Sequence, residues 1–390
     1  MKKIMSVLLV VLLLVTSIPM DAFAEQVEIN VYNWGEYVPD GSDGFIDVNA
    51  EFTKRTGIKV NETNYQSNEE MFTKLSGGGV SYDLVVPSDY MISKMIERDM
   101  LAEINYDNIP NYKNVSDDFK NLEYDPQNRY SVPFTGGTVG IIYNKKMIKP
   151  GTNLNSWSVL WDENYKGQIL MFANSRDAFA CAFSKLGYSL NTTDKKEWIN
   201  AAAELKKQRP LVQAYAMDQI MDKMVAGEAA LAPYYAGDAL ICMGENEDLD
   251  FIIPDNSVFN RFVDAMCILK GAKHQKEAEA YINFCLEPEI GEQISSYLGY
   301  TTVNKESYKL LTEEQRNSPI SYPSKEKLKN AEVFVSLPDD IDQLQKDLWS
   351  QVRADSSGSV WSIVLVIGAF ALLWAVIAFY NRVIKKKKFQ

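Results

Sequence analysis

Strand-like and helix-like segments alternate along this chain, and that order limits its folds more than any other feature. The runs "VEINVYN" (27–33), "IKVNET" (58–63) and "YDLVVPS" (82–88) read as short buried strands. Each is followed by a helical stretch: "GFIDVNAEFTKRTG" closing on Gly57, "NEEMFTKLSGGG" with a glycine-rich stop, and "DYMISKMIERDM". A β-α-β-α-β-α order predicts a mostly parallel sheet covered on both faces. A second series follows, with strands in "GTVGIIYN", "QILMFA", "AALAPYY" and "DFIIP". Its helices are expected near 176–187, 194–208, 216–227 and in "GDALICMGE", with a short one in "NSWSVLWDENYKG" capped by Asn155 or Ser156. "RFVDAMCILKG" turns the chain back, and "KEAEAYINFCLEP" is amphipathic. Roughly 330 residues exceed one small core and suit two lobes. Open parallel sheets take ligands beyond the carboxyl ends of their strands, which places a cleft between the lobes.

The strand-to-helix junctions share an unusual chemistry. Trp34, Glu36 and Tyr37 follow the first strand; Ser88, Asp89 and Tyr90 follow the third; Asn174, Arg176 and Asp177 follow "QILMFA". Tyr234, Tyr235 and Asp238 follow "AALAP", and Phe262 and Asp264 sit in "RFVDAMC". Rings and carboxylates together suit an organic ammonium: a carboxylate accepts a short charge-assisted hydrogen bond, and a ring face attracts a cation by about 0.5–2 kcal/mol. Taken singly, each residue has an ordinary role. Trp34 fits a core, Glu36 a solvated turn, Asp89 and Asp238 helix caps, Asp177 a pair with Arg176, and Tyr234 or Tyr235 the sheet. Their coincidence at several strand ends favours a ligand cleft.

Both ends read as targeting segments. Residues 1–24 combine Lys2 and Lys3, the apolar "IMSVLLVVLLLV" and an "AFA" cleavage pattern, the form of a signal peptide. Residues 361–380, "WSIVLVIGAFALLWAVIAFY", carry no charge and would span roughly 30 Å as a helix. The basic tail 381–390 would then be cytoplasmic, and 351–360 a flexible tether. These features predict a single-pass protein of the cell membrane with an extracellular or periplasmic ectodomain. Residues 25–360 hold 33 Lys and Arg against 51 Asp and Glu, a formal charge of −18, which disfavours nucleic acid.

Other chemistries lack their residues. His274 is the one histidine, so no second His is available for a His-dependent triad beyond it, and it stands at a helix start. Cys181, Cys242, Cys267 and Cys285 lie in apolar contexts without a CxxC spacing and read as buried thiols, although four cysteines allow three pairings. No P-loop and no metal-ligand cluster occurs, and no cofactor is expected.

From about 27 to 350 the chain resembles the spermidine/putrescine-binding proteins of bacterial polyamine ABC importers. The stretches that carry the resemblance are "YNWGEYVP", "TGIKV", "YDLVVPSDY", "YSVPFTGGTVGIIYN", "WSVLWDENYKG", "LGYSLNTTD", "YINFCLEPEIG" and "GYTTVN". The resemblance implies a two-lobed α/β periplasmic-binding-protein fold of type II, here with a C-terminal transmembrane helix. One lobe would take 27–137 plus 263–308, the other 138–262 plus 309–350. It implies an aromatic wall at Trp34 and Tyr37 beside Glu36, ligand-loop positions Ser88 and Tyr90, acids for ligand amines at Asp177 and Asp264, and a pocket Tyr300. Asn174 stands where spermidine-preferring members carry Asp, Tyr235 and Phe262 where they carry Trp, and Phe334 in place of a Gln. Asp238 and the Phe262-x-Asp264 pattern are closer to putrescine-preferring members.

The resemblance further implies a monomer that is not an enzyme, with ABC permease subunits and a separate ATPase as partners. Three other readings stay open from the residues alone: a binding protein for another small cation, a ligand-sensing ectodomain, and a hydrolase with paired acids.

Overall fold

The computed structural model describes residues 26–354. The expected signal peptide 1–24, the segment 361–380 and the tail 381–390 lie outside them.

Two parallel three-stranded units are joined by long antiparallel strands. In the first unit β1 (Glu28–Trp34) pairs in parallel with β2 (Lys59–Tyr65) and β3 (Leu84–Val85). The 14-residue β4 (Ser131–Asn144) then crosses to the second unit. There β5 (Ile169–Phe172) pairs in parallel with β6 (Val212–Ala216) and β7 (Leu231–Tyr235). The short β8 (Leu249–Ile252) leads into β9 (Phe259–Ile268), which crosses back. Near the end β10 (Thr301–Thr302) pairs with β4 and β11 (Ala331–Glu332) with β9. The order is β2-β1-β3-β9-β4-β7-β5-β6.

The register of the crossing strands locates the hinge. Ser131 to Thr138 of β4 pair with β9, while Val139 to Tyr143 pair with β7. Each side has its own core. Ile29, Val31, Phe52, Met71, Leu84, Met91, Met266 and Ile282 pack on one side. Ile141, Leu170, Phe172, Phe179, Trp198, Leu205 and Leu231 pack on the other, joined by Ile341, Leu348 and Val352 of the helix Asp339–Arg353. These are two lobes.

Local sequence explains the helices that frame the cleft. Asp47 caps the helix Val48–Thr56 by accepting from the Ala50 N–H, and Gly57 ends it at φ 77°, a left-handed conformation that glycine adopts without strain. Ser67 caps the helix Asn68–Ser76 in the same way, through the Glu70 N–H.

Several expectations need correction. The sheet is not mostly parallel throughout, because β4 runs antiparallel to β7 and β9, and β9 antiparallel to β3. The first half of β4 escapes a propensity reading, since Pro133, Gly136 and Gly137 disfavour a central strand. The strand accommodates them with an irregular register between Pro133 and Thr135. "NSWSVLWDENYKG" forms two 3₁₀ turns, Trp157–Trp161 and Glu163–Tyr165, because Ser156 and Asp162 each cap a separate short turn. The expected tether begins too early: the helix Asp339–Arg353 runs into it.

The C-terminal transmembrane helix is also corrected. Among the described residues no helix is long and apolar enough to cross a membrane. The expectation rests on the uncharged run 361–380, its flanking Trp361 and Tyr380 and the basic tail, all of which lie outside the described residues. The four cysteines are free and buried, as the apolar contexts predict.

Candidate functional site

Trp34 ends β1, and the chain turns at Glu36, whose φ of 52° is left-handed. That turn swings Tyr37 back under the strand ends, where it is buried. The Tyr37 hydroxyl donates to Oδ2 of Asp264 on β9. Ser88, entering the helix Asp89–Glu97, forms a bridge with Asp264. The other oxygen, Oδ1 of Asp264, is buried and has no hydrogen-bond partner. Burial pushes the Asp264 carboxyl up to about 6, against the pull of the Tyr37 and Ser88 hydroxyls.

A line of rings runs from this point across the hinge. The Tyr37 centroid lies 6.4 Å from that of Trp34 and 6.3 Å from that of Tyr300. Phe262 stands edge-on between Tyr300 and Tyr235, 5.6 Å from each. Tyr235 continues to Phe172 at 5.1 Å. Such edge and tilted contacts are favourable ring geometries and leave faces for a third group.

Two more carboxylates stand on the second lobe. Asp177 lies in the first turn of the helix Ser175–Leu186 and accepts from the Tyr235 hydroxyl at 3.0 Å. Burial pushes it up to about 7; Glu69 from the first lobe adds to the rise, while Tyr235, Arg176 and Asn260 oppose it. Asp238, in the first turn of the helix Ala236–Glu245, is also pushed up to about 7 by burial. The Tyr300 hydroxyl opposes that rise, and Asp218 and Glu36 add to it. Charges of the first lobe therefore act on acids of the second.

Tyr90 completes the first-lobe wall. Its hydroxyl donates to Glu69 at 2.9 Å and accepts from Asn68 at 3.2 Å. Opposite it Arg176 is buried, with its guanidinium 4.6 Å from the Phe334 centroid and 5.9 Å from that of Tyr90. Arg176 Nη2 donates to Asn191 and to the Val335 carbonyl, while Nε and Nη1 have no partner.

Ten of the twelve expected residues are thus linked by ring, hydrogen-bond and charge contacts: Trp34, Tyr37, Ser88, Tyr90, Asp177, Tyr235, Asp238, Phe262, Asp264 and Tyr300. Two stand apart. Asn174 caps the helix Ser175–Leu186, its Oδ1 accepting from the Arg176 N–H at 2.9 Å. Glu36 is exposed and reaches the site only through its charge on Asp238. Asp89, weighed as a cap, is buried and accepts from the N–H groups of Tyr90 and Val263, tying the helix start to β9. Tyr234 packs in the second core.

Sequence reading missed Asn68, Glu69 and Asn260. Glu69 looks like an ordinary acid in the first turn of a capped helix. One signal was available: Tyr65 ends β2 and Glu69 follows it, the ring-and-acid pattern of the other strand ends.

Closure depends on one close approach. A Cβ on Gly237 would lie 2.1 Å from the Tyr300 ring and 2.5 Å from the Leu298 carbonyl oxygen. Gly237→Ala is expected to wedge the lobes apart and weaken ligand binding at least tenfold with the cleft side chains unchanged. Isothermal titration of the variant, with its melting curve as a fold control, checks this.

Comparison with known proteins adds to this geometry. The family described as bacterial extracellular solute-binding protein matches residues 48–322. The spermidine/putrescine-binding periplasmic protein of Escherichia coli K12 is 38% identical over 303 residues, 77% of this chain and 84% of that one. The putrescine-binding periplasmic protein SpuD of Pseudomonas aeruginosa is 30% identical, covering 85% of this chain and 93% of its own. A crystal structure of the spermidine/putrescine ABC transporter substrate-binding protein PotD from Streptococcus pneumoniae superposes with a TM-score of 0.71 at 33% identity, covering 84% and 98% of the two chains. The first two relatives are named periplasmic, and no membrane-crossing helix occurs among the described residues. The single-pass membrane localisation with a cytoplasmic C-terminus is corrected on those grounds.

Proposed function

The chain belongs to the bacterial extracellular solute-binding protein family, and we propose that it captures a polyamine, putrescine or spermidine, and hands it to ABC permease subunits. The family is one of solute-binding proteins of ABC transporters, which are not enzymes. ATP hydrolysis would therefore fall to a separate subunit.

The observation that carries the ligand class is Asp264. A buried carboxylate oxygen with no partner is costly, and an ammonium N–H offsets that cost with a charge-assisted hydrogen bond. Asp177 and Asp238, also held from ionising by burial, supply further anionic ends. In this reading Trp34, Tyr37, Phe262, Tyr235 and Tyr300 flank the methylenes. Ser88 and Tyr90 complete the wall, Glu36 attracts the cation at the mouth, and Asn174 sets the helix that carries Asp177. The lobes are divided as 27–137 plus 263–308 and 138–262 plus 309–350, the protein acts as a monomer, and no metal or cofactor takes part.

Putrescine is the favoured ligand. The spermidine-type acid is replaced by Asn174, and Asn174 is occupied as a helix cap. The buried Arg176 guanidinium fills one end of the cleft with positive charge, which disfavours a third ammonium there.

A melting assay tests this reading. Putrescine at about 100 times its Kd should stabilise the protein by about 2.7 kcal/mol. The neutral isostere 1,4-butanediol should leave the melting temperature unchanged. Equal shifts from diol and diamine would contradict an ammonium site.

A further inference from the structure

β4 and β9 present opposite faces at the hinge, and only one of them serves the polyamine cleft. A Cβ on Gly137 would meet the rings of Phe262 at 2.6 Å and Tyr300 at 3.4 Å, so that face looks into the cleft. A Cβ on the neighbouring Gly136 would instead meet the Phe119 ring at 2.8 Å. Alternation along a strand puts Thr138 with Gly136 and Arg261 away from Phe262. Thr138 and Arg261 are register partners, so both lie on the back of the hinge.

A cavity of about 280 Å³ opens on that back face. Phe119 of the first lobe, Thr138 and Arg261 of the crossing strands, and Tyr322 and Leu328 of the late segment all line it, with Lys305 at its edge. Its volume is near the lower end of the range for small-molecule sites.

Its chemistry is unsatisfied. The Arg261 guanidinium lies 5.4 Å from the Phe119 centroid, and among the described residues it makes no hydrogen bond or ion pair. Lys305 likewise has no ion pair there. The Thr138 hydroxyl is buried without a partner. Burial lowers the Arg261 pKa below the ordinary guanidinium value, partly opposed by Asp118, whose carboxylate also borders the cavity but is solvent-exposed. A partly desolvated guanidinium with no anion in hydrogen-bonding contact, beside aromatic rings, matches a molecule with an anionic head and an apolar body.

We propose that this cavity binds a small organic anion, a carboxylate or a phosphate monoester with an apolar body, and that its occupation favours lobe closure. The site lies behind the crossing strands β4 and β9, so opening the cleft in front would narrow the space behind. Leu328 packs against the core of the second lobe and Phe119 in that of the first, so an occupant touches both. By linkage the anion would tighten the polyamine, and the polyamine would tighten the anion. This coupling rests on the polyamine reading; the anion site itself does not.

Calorimetric titration of the ligand-free protein with benzoate and with phenyl phosphate tests the site and separates the two head groups. Benzamide serves as the neutral control. At least one anion should bind saturably at one to one, with benzamide at least tenfold weaker. Arg261→Gln should weaken the anion at least tenfold and leave putrescine affinity unchanged in its absence. Lys305→Gln, at an exposed position, should weaken it severalfold and covers the case in which the Arg261 variant misfolds. Saturating anion should tighten putrescine at least threefold in the wild type and not in Arg261→Gln. No saturable anion binding, insensitivity to both substitutions, or displacement of the anion by putrescine would each overturn the site. A putrescine affinity unmoved by the anion would overturn the coupling. If no amine binds, the anion titrations still decide the site, and compaction in small-angle X-ray scattering decides the coupling.

Discussion

Asp264→Asn should weaken polyamine binding by about 3–5 kcal/mol, roughly 10²- to 10⁴-fold, and at the same time stabilise the ligand-free protein. The two effects share one cause. In the empty cleft the Asp264 carboxylate has one oxygen bonded to Tyr37 and the other to nothing. Its rise from 3.8 to about 6 means that burial penalises the charged form. Removing the charge recovers about 2–3 kcal/mol at neutral pH. The asparagine oxygen can still accept from the Tyr37 hydroxyl, so the local packing survives. The substitution removes the anion that an ammonium needs, and the complex then holds a buried cation with a weaker partner. Titration calorimetry and a melting curve on one sample read both effects. Affinity within threefold of wild type, or a lower melting temperature in the ligand-free state, would contradict this account of Asp264.

The second large effect is on pH. Asp177 and Asp238 titrate near 7 and Asp264 near 6 in the ligand-free protein. Alkylammonium groups, with pKa values of about 10, stay charged throughout this range. A bound ammonium favours the ionised carboxylates and lowers their pKa values. Above pH 8 all three are ionised in both states, so affinity is flat and few protons move. As pH falls through 7 and 6, binding must expel protons that the empty cleft has taken up. Affinity should drop about 100-fold between pH 8 and pH 6, with proton release measurable from the buffer dependence of the heat. Stability moves the other way. Folded pKa values above the unfolded 3.8 mean that the ligand-free fold holds protons the unfolded chain has lost. These three groups therefore favour the fold at low pH, and that contribution falls as pH rises from about 4 to 7. Affinity independent of pH between 8 and 6 would show that the three acids do not take part.

The site was legible in the sequence where its residues sit at strand ends. Trp34, Tyr37 and Tyr235 stand out because rings and acids coincide at several such junctions, whereas Asp264 lies inside β9 and stands out through the Phe262-x-Asp264 pattern. Glu69 has a simple structural purpose, as a first-turn acid on the helix Asn68–Ser76, and so it passed unnoticed. Asn174 reads as a ligand position, and in the structure its Oδ1 caps the helix Ser175–Leu186, a role that only the backbone geometry reveals. The lobes were legible from the alternation of strands and helices. The hinge was not, because its longest strand contains Pro133, Gly136 and Gly137. Those residues disfavour a strand locally and serve it through close packing against Phe119 and Phe262. The apolar run at 361–380 lies outside the described residues, and no helix within them is long and apolar enough to cross a membrane.

The most direct test of the central claim is calorimetric titration of the protein, freed of ligand by unfolding and refolding, with putrescine, cadaverine, spermidine and spermine. The account predicts saturable one-to-one binding at micromolar concentration or below, with putrescine tightest. No binding of any of the four amines to a folded sample would contradict it, and the cleft of rings and carboxylates would then serve another solute.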